Sequence, residues 1–269
     1  MDHTFTGQKK EGQIMHIPYV GITDFVTFEQ VKRMLAVFKM NLGPNQSRRL
    51  HVGVMMSYKT LHDLETKWAR AFPPKETIAD IFGSDETMNC LHYADYDAID
   101  VFQSLAQAIS FGGIGINALQ LDMVWPDPGH VANAVHASRK QLEVILQVGK
   151  NAIEQTNNNP QEVVERLQDY EGVAQHVLLD KSMGRGLGMN AVGLIPFARA
   201  IRDAFPDLGI VAAGGLGPKS IGLVEPLVKE FPDISIDAQG KLRPSGSALD
   251  PINWDMAETY LVKALQLLK

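Results

Sequence analysis

Gly209-Ile210-Val211-Ala212-Ala213-Gly214-Gly215-Leu216-Gly217-Pro218 is a short apolar run that breaks at a glycine pair and a proline. It is too short for a stable helix and ends in turn residues, so it reads as a buried strand followed by a tight loop. A second unit of the same kind follows, in which Ile234-Ser235-Ile236-Asp237 closes on Ala238-Gln239-Gly240. A helical pattern lies between them. Buried strands that end in small residues and each feed a helix build a parallel sheet. Backbone N–H groups at such strand ends point at a common space in which an anion can sit.

Outward from this pair, the same alternation runs along the chain. Candidate strands are 13–20, 50–56, 89–93, 116–123, 142–147, 174–180, 208–213 and 233–237. They are spaced by roughly the 30 residues of a βα repeat. Helical periodicity fills the gaps. Phe28, Val31, Leu35 and Phe38 share one face, as do Ile99, Phe102, Leu105 and Ile109, and again Ala257, Leu261, Ala264 and Leu268. Thr27 and Asn253 stand where N-caps belong. Eight units predict closure into an α/β fold, a (β/α)8 TIM barrel with eight parallel strands, as one domain over residues 1–269. A doubly wound open sheet is the alternative. Residues 1–12 read as a frayed leader. Residues 71–88 contain Pro73-Pro74 and a helical piece near 78–82, and read as an insertion. Pro226 should kink or split the seventh helix. Asn157-Asn158-Asn159-Pro160 should split the fifth crossover.

Composition narrows the class of partner. A 269-residue chain that is 45% hydrophobic has the apolar mass for one large core. A net charge of −6 argues against nucleic acid but leaves room for a local basic pocket. The single cysteine, Cys90, excludes an intrachain disulfide and suits a reducing compartment, so the cytoplasm is expected. No apolar stretch approaches the ~20 residues of a membrane span, and the first residues lack the apolar centre of a secretory signal. The expected partner is a small phosphorylated metabolite, with no nucleic acid and no membrane; homo-oligomerisation stays open.

In a barrel, chemistry gathers at the C-terminal ends of the strands. The polar groups there are Asp24, Ser57, His92, Asp95, Asp122, Gln147, Lys150, Asp180, Lys181 and Asp237. Several carboxylates and one or two cations around a funnel suit proton transfer on a small polar substrate. Asp180, Asp122 and Asp24 are the acid–base candidates, although Asp also caps helices well. The stretch from Asp180 to Gly188 carries three glycines in five residues. Glycines let backbone approach a ligand closely, which makes Gly186 and Gly188 candidate contacts. Their spacing is not the dinucleotide fingerprint, and no cofactor is expected. No tight metal-ligand motif occurs and no metal is expected; His16, His51 or His92 with Asp122 is a weaker, metal-dependent alternative. For the anion, Gly214, Gly215, Gln239, Gly240, Lys241 and Arg243 are the candidate binders.

Several pieces taken together resemble phosphoribosylanthranilate isomerase, one of the ribulose-phosphate-binding barrels. They are Gly21-Ile22-Thr23, Val52-Gly53-Val54, Leu119-Gln120-Leu121, Leu178-Leu179-Asp180 with its Gly-rich loop, and Ala213-Gly214-Gly215-Leu216 with Pro218. The resemblance implies a phosphate site made by the loops after strands seven and eight. It also implies a general acid at the end of strand six, which falls on Asp180. Two positions depart from the pattern. Val20 stands where the family has its general-base cysteine, and Ala238-Gln239-Gly240 replaces a Ser-Ser-Gly. The expectation is therefore a phosphorylated-sugar-binding barrel, an isomerase-like enzyme of aldose–ketose type with Asp180 as general acid, but not the standard isomerase. Asp122 or Asp24 then supplies the base. Two alternatives stand beside it: a class I aldolase with a Schiff base on Lys181, and a non-catalytic barrel that binds a phosphorylated metabolite, which Val20 favours.

Overall fold

The computed structural model describes residues 16–180 and 189–269. Eight strands close into a barrel in sequence order: β1 (Tyr19–Thr23), β2 (Arg49–Ser57), β3 (Met88–Ala94), β4 (Ala118–Asp122), β5 (Glu143–Gly149), β6 (His176–Asp180), β7 (Gly209–Ala213) and β8 (Ser235–Ala238). Every neighbouring pair is parallel, and β1 meets β8 through Val20–Ile236, Gly21–Asp237 and Ile22–Ala238. Closure excludes the open doubly wound sheet. Around the barrel run α1 (Phe28–Asn41), α2 (Tyr58–Leu61), α3 (Ile78–Ile81), α4 (Val101–Phe111), α5 (Pro128–Ser138), α6 (Lys150–Gln155), α7 (Pro160–Gln168), α8 (Ala191–Ala204), α9 (Glu225–Glu230) and α10 (Trp254–Leu267).

Local chemistry sets the helix ends. Thr27 accepts from the Gln30 N–H while the Gln30 side chain accepts from the Thr27 N–H, a reciprocal capping box on α1. Asn253 caps α10 through the Met256 N–H. Asn157 and Asn158 both take left-handed backbone, φ 51° and 55°, and separate α6 from α7. Pro226 falls in the first turn of α9, where its missing N–H costs nothing, and a 3-10 turn over Ile221–Val224 precedes it.

The first strand is where sequence and structure part. It was expected over 13–20, with Gly21-Ile22-Thr23 beyond its end; residues 13–15 lie outside the described residues, and the observed strand runs through Thr23. Glycine weakens a strand signal, yet this strand requires one. A Cβ at position 21 would lie 2.5 Å from Asp237 Oδ1 and 3.0 Å from His51 Nδ1.

Strand alternation divides the core in two. Val20, Ile22, Leu50, Leu119, Val177 and Ile236 face outward and pack with the helices. Tyr19, Met88, Cys90, Ala118, Ile145, Leu178 and Val211 fill the lumen as a separate apolar plug. Beneath it the N-terminal end is sealed by charge. Arg49 grips Glu143 with two hydrogen bonds of 2.5 and 2.7 Å, and Glu143 Oε2 lies 2.8 Å from His176 Nε2. Among the described residues, no helix is long and apolar enough to cross a membrane.

Candidate active site

Above the apolar plug the lumen turns polar. The same alternation that buries Cys90, Ala118, Ile145 and Leu178 brings His92, Gln120, Asp122, Gln147 and Asp180 to the inner wall, near the C-terminal mouth. Gly21, Thr23, His51 and Asp237 line it from β1, β2 and β8.

On one side of the mouth, Asp122 anchors a directed chain of hydrogen bonds. A carboxylate can only accept, so Gln147 presents its amide N–H at 2.7 Å to Asp122 Oδ1. The Gln147 carbonyl then accepts from Gln120 at 2.9 Å, and the same Gln120 nitrogen lies 3.4 Å from His92 Nε2. His92 Nε2 must therefore be the acceptor, and the ring carries its proton on Nδ1, which has no partner among the described residues. Burial pushes His92 down to about 4, against the pull of Asp24 and Asp180, so its 4.0 Å approach to Asp122 joins a neutral ring to a carboxylate. Tyr96 donates its phenol to Asp122 Oδ2 at 2.6 Å. Burial raises the Asp122 carboxyl above its usual range, and this hydrogen bond opposes the rise.

On the other side, Asp237 receives the Thr23 hydroxyl at 3.0 and 3.3 Å. Burial pushes its carboxyl up to about 7; the Thr23 bond opposes this, while Asp24 and Asp180 add to it. His51 stacks on Tyr19, 4.7 Å between ring centres, and burial drives it down to about 3. Neither of its ring nitrogens has a partner among the described residues.

Asp24 and Arg243 were expected in separate roles, as base and as anion binder. The structure joins them. Arg243 donates to Asp24 Oδ2, to the Gln239 carbonyl at 2.8 Å and to the Asp250 carbonyl, while Gln239 donates to Asp24 Oδ1 at 3.1 Å. Both ionic side chains are buried, and Asp24 sits at φ 92°, a backbone strain that this clasp holds in place. The clasp ties both Asp24 carboxylate oxygens to donors within the fold, one to Arg243 and one to Gln239.

The loops after β7 and β8 lie against each other. Gly214 and Gly215 take φ 98° and 70°, and the Ser220 hydroxyl fastens the turn to the Gly215 carbonyl at 2.7 Å. A Cβ at Gly217 would lie 2.6 Å from the Lys241 carbonyl oxygen, so glycine permits this close approach. Gly240 and Lys241 belong to the short 3-10 turn over Gly240–Leu242. Lys181, Gly186 and Gly188 lie outside the described residues.

Val20 faces the helices, not the lumen. Register alone removes that position from the mouth, whatever residue stands there. Among the described residues no group of three or more His, Cys, Asp or Glu is arranged to hold a metal ion. Surface grooves of about 600 Å³ lie between α4 and α5 and between α1 and α10, on the helical layer, and contain none of the lumen side chains.

Gln120, Tyr96, Thr23 and Gly21 were not singled out from sequence as site residues, and His51 only as a metal-ligand alternative. A signal for three of them exists: polar residues at every second position, Gly21-Thr23 on β1 and Gln120-Asp122 on β4, mark an inner wall that is wet at one end. Tyr96 sits in a loop and carries no such mark.

The sequence matches no family model and no curated protein. Among solved structures the chain is similar to tryptophan synthase subunit alpha from Legionella pneumophila str. Paris, at 12% identity and TM-score 0.53, over 94% of this chain and 92% of that one. It is also similar to active domain 2 of a thermostable chitinase from Pyrococcus furiosus, at 14% identity and TM-score 0.51, over 93% and 96%. At these identities the likeness establishes the fold, the closed barrel of eight parallel strands.

Proposed function

We propose that this barrel is an isomerase-like enzyme that binds a small phosphorylated sugar at its C-terminal mouth and moves protons on it, with Asp180 as general acid. The reading rests on one juxtaposition. The left-handed Gly214-Gly215 turn, packed against the loop after β8, stands over a lumen in which burial raises the Asp122 and Asp237 carboxyls. Acid–base chemistry needs groups whose pKa values lie near the working pH, and burial is what moves a carboxyl there. Backbone N–H groups of the two loops take the phosphate, and the carbon chain enters the polar lumen. Asp122, held by Gln147 and Tyr96, is placed to bind or polarise a substrate oxygen on the β4 side. The base of the related isomerases has no counterpart at Val20, so a different proton acceptor serves here.

Thermal unfolding with ribulose 5-phosphate and with ribulose, at matched ionic strength, tests the phosphate site. A ligand at ~100 times its Kd stabilises by about 2.7 kcal/mol. Stabilisation by the phosphorylated sugar alone is the expected result. Equal shifts with both sugars, or none with either, would refute the reading.

A further inference from the structure

We infer that Asp237, at the end of β8, is the proton acceptor that works opposite Asp180 across the substrate. The inference rests on the phosphorylated-sugar reading and supplies the base that reading leaves open.

The register places the two carboxyls. Leu179 pairs with Ala212, and Ala213 pairs with Asp237. One step beyond Leu179, Asp180 stands level with Ala213. Asp180, Ala213 and Asp237 therefore form a single row on three neighbouring strands, all facing inward. Strands lie about 4.8 Å apart, so the outer two backbones flank a gap of about 9 to 10 Å. The residue in the middle of the row is an alanine, whose methyl leaves the gap open. The next two residues are Gly214 and Gly215, the left-handed turn proposed to take the phosphate. A sugar phosphate held there extends its carbon chain over Ala213, with one carboxyl on each side.

Asp237 is also built as a proton-transfer group rather than as a structural one. Among the described residues it has no cationic partner; its side-chain hydrogen-bond donor is the neutral Thr23 hydroxyl. Gly21 permits the close approach of Asp237 and His51: a Cβ there would lie 2.5 Å from Asp237 Oδ1 and 3.0 Å from His51 Nδ1, a buried nitrogen with no partner among the described residues. The charged and titratable groups facing it are Asp24 and Asp180 at the rim, His51, Tyr19 and Cys90 in the lumen, and Tyr260 from α10. None of them is a cation at neutral pH. Burial and the two neighbouring aspartates keep the Asp237 carboxyl near 7, where it exchanges a proton readily.

The step balances without a co-reactant. For a 2-ketose phosphate, the Asp237 carboxylate takes a proton from C1, the C1–C2 double bond forms, and the C2 oxygen takes a proton from the Asp180 carboxyl, giving an enediol. In the second half the C1 hydroxyl returns its proton to Asp180, the C1 carbonyl forms, and Asp237 delivers its proton to C2. Both residues end as they began.

The test is solvent-deuterium exchange into ribulose 5-phosphate, followed by proton NMR across pH 5 to 9, on the wild-type protein and on Asp237→Asn and Asp180→Asn. Asparagine keeps the Thr23 hydrogen bond and the shape of the side chain. Asp237→Asn should bind ribulose 5-phosphate within about threefold of wild type yet exchange at least ~100-fold more slowly. Wild-type exchange should rise with pH through a midpoint near 7, which the variant lacks. Exchange by Asp237→Asn within about threefold of wild type, or wild-type protein that binds the phosphorylated sugar and exchanges nothing, overturns the assignment and leaves the phosphate site standing. If ribulose 5-phosphate binds no better than ribulose, the underlying reading fails and Asp237 falls with it.

Discussion

Replacing Asp237 with asparagine should make this protein more stable, and the gain should grow with pH. The carboxyl is held at about 7 in the fold against an ordinary value of 3.8, chiefly by burial. A group whose folded pKa is raised contributes fully below its unfolded pKa, and that contribution is lost as pH rises through the folded pKa. Between pH 3.8 and 7 the unfolded chain carries the charge while the folded protein must hold a proton. Each pKa unit is worth about 1.4 kcal/mol, so the shift of about three units costs about 4 kcal/mol above pH 7. Asparagine carries no charge to bury and retains the bond from Thr23. The expected advantage is about 0.5 kcal/mol at pH 4, about 1.5 kcal/mol at pH 5 and about 4 kcal/mol at pH 8. Urea unfolding of both proteins at these three pH values reads it directly, because every other titrating group cancels in the comparison. An asparagine variant that is less stable throughout, or whose advantage does not vary with pH, would refute the reasoning. A residue that costs the fold this much at working pH is one whose charge serves something other than stability.

Two other perturbations follow from the same structure. Gly21→Ala sets a methyl 2.5 Å from Asp237 Oδ1 and should cost about 1 to 3 kcal/mol in urea unfolding; adding Asp237→Ala should recover part of that loss, and simple additivity of the two changes would argue against the contact. Glu143→Gln removes the carboxylate that holds Arg49 and His176 at the base of the barrel. Burial raises that carboxyl, but hydrogen bonds from His176 and Arg49 outweigh it and bring it to about 2, below its ordinary 4.5. Its stabilisation is present above pH 4.5 and lost as pH falls toward 2, so the variant should lose about 3 kcal/mol at pH 7 and progressively less below pH 4.5; a loss that does not change with pH would contradict the ion-pair account.

The barrel was legible because it is written redundantly. Most of its strands carry apolar runs closed by turn residues, and a weak signal at the first and third does not obscure a repeat of eight. β1 was misplaced for a specific reason: its inward positions are Tyr19, Gly21 and Thr23, where an apolar strand pattern would have larger aliphatic residues, and the glycine answers to Asp237 more than two hundred residues later. The same long-range dependence hid much of the site. Asp180, Asp122 and Asp24 were legible as strand-end carboxylates, but nothing local in the sequence distinguishes an aspartate paired with an arginine from one facing a neutral hydroxyl. Asp24 belongs to the first kind and Asp237 to the second. His51 and Gln120 sit within strands that otherwise read as apolar, and their meaning comes only from what the opposite wall of the lumen presents.

The seam between β1 and β8 also governs when the site comes into being. Thr23 and Asp237 are 214 residues apart, and Asp24 and Arg243 are 219 apart. These contacts join the first strand of the barrel to its last. Bringing such distant segments together carries a large closure entropy, so they form late. Until they do, the carboxyl on β8 has no Thr23 beside it, and the strained Asp24 turn has no arginine to hold it. A chain in which β1 and β8 have not met therefore lacks both contacts, and the mouth takes its final form only when the whole barrel has closed.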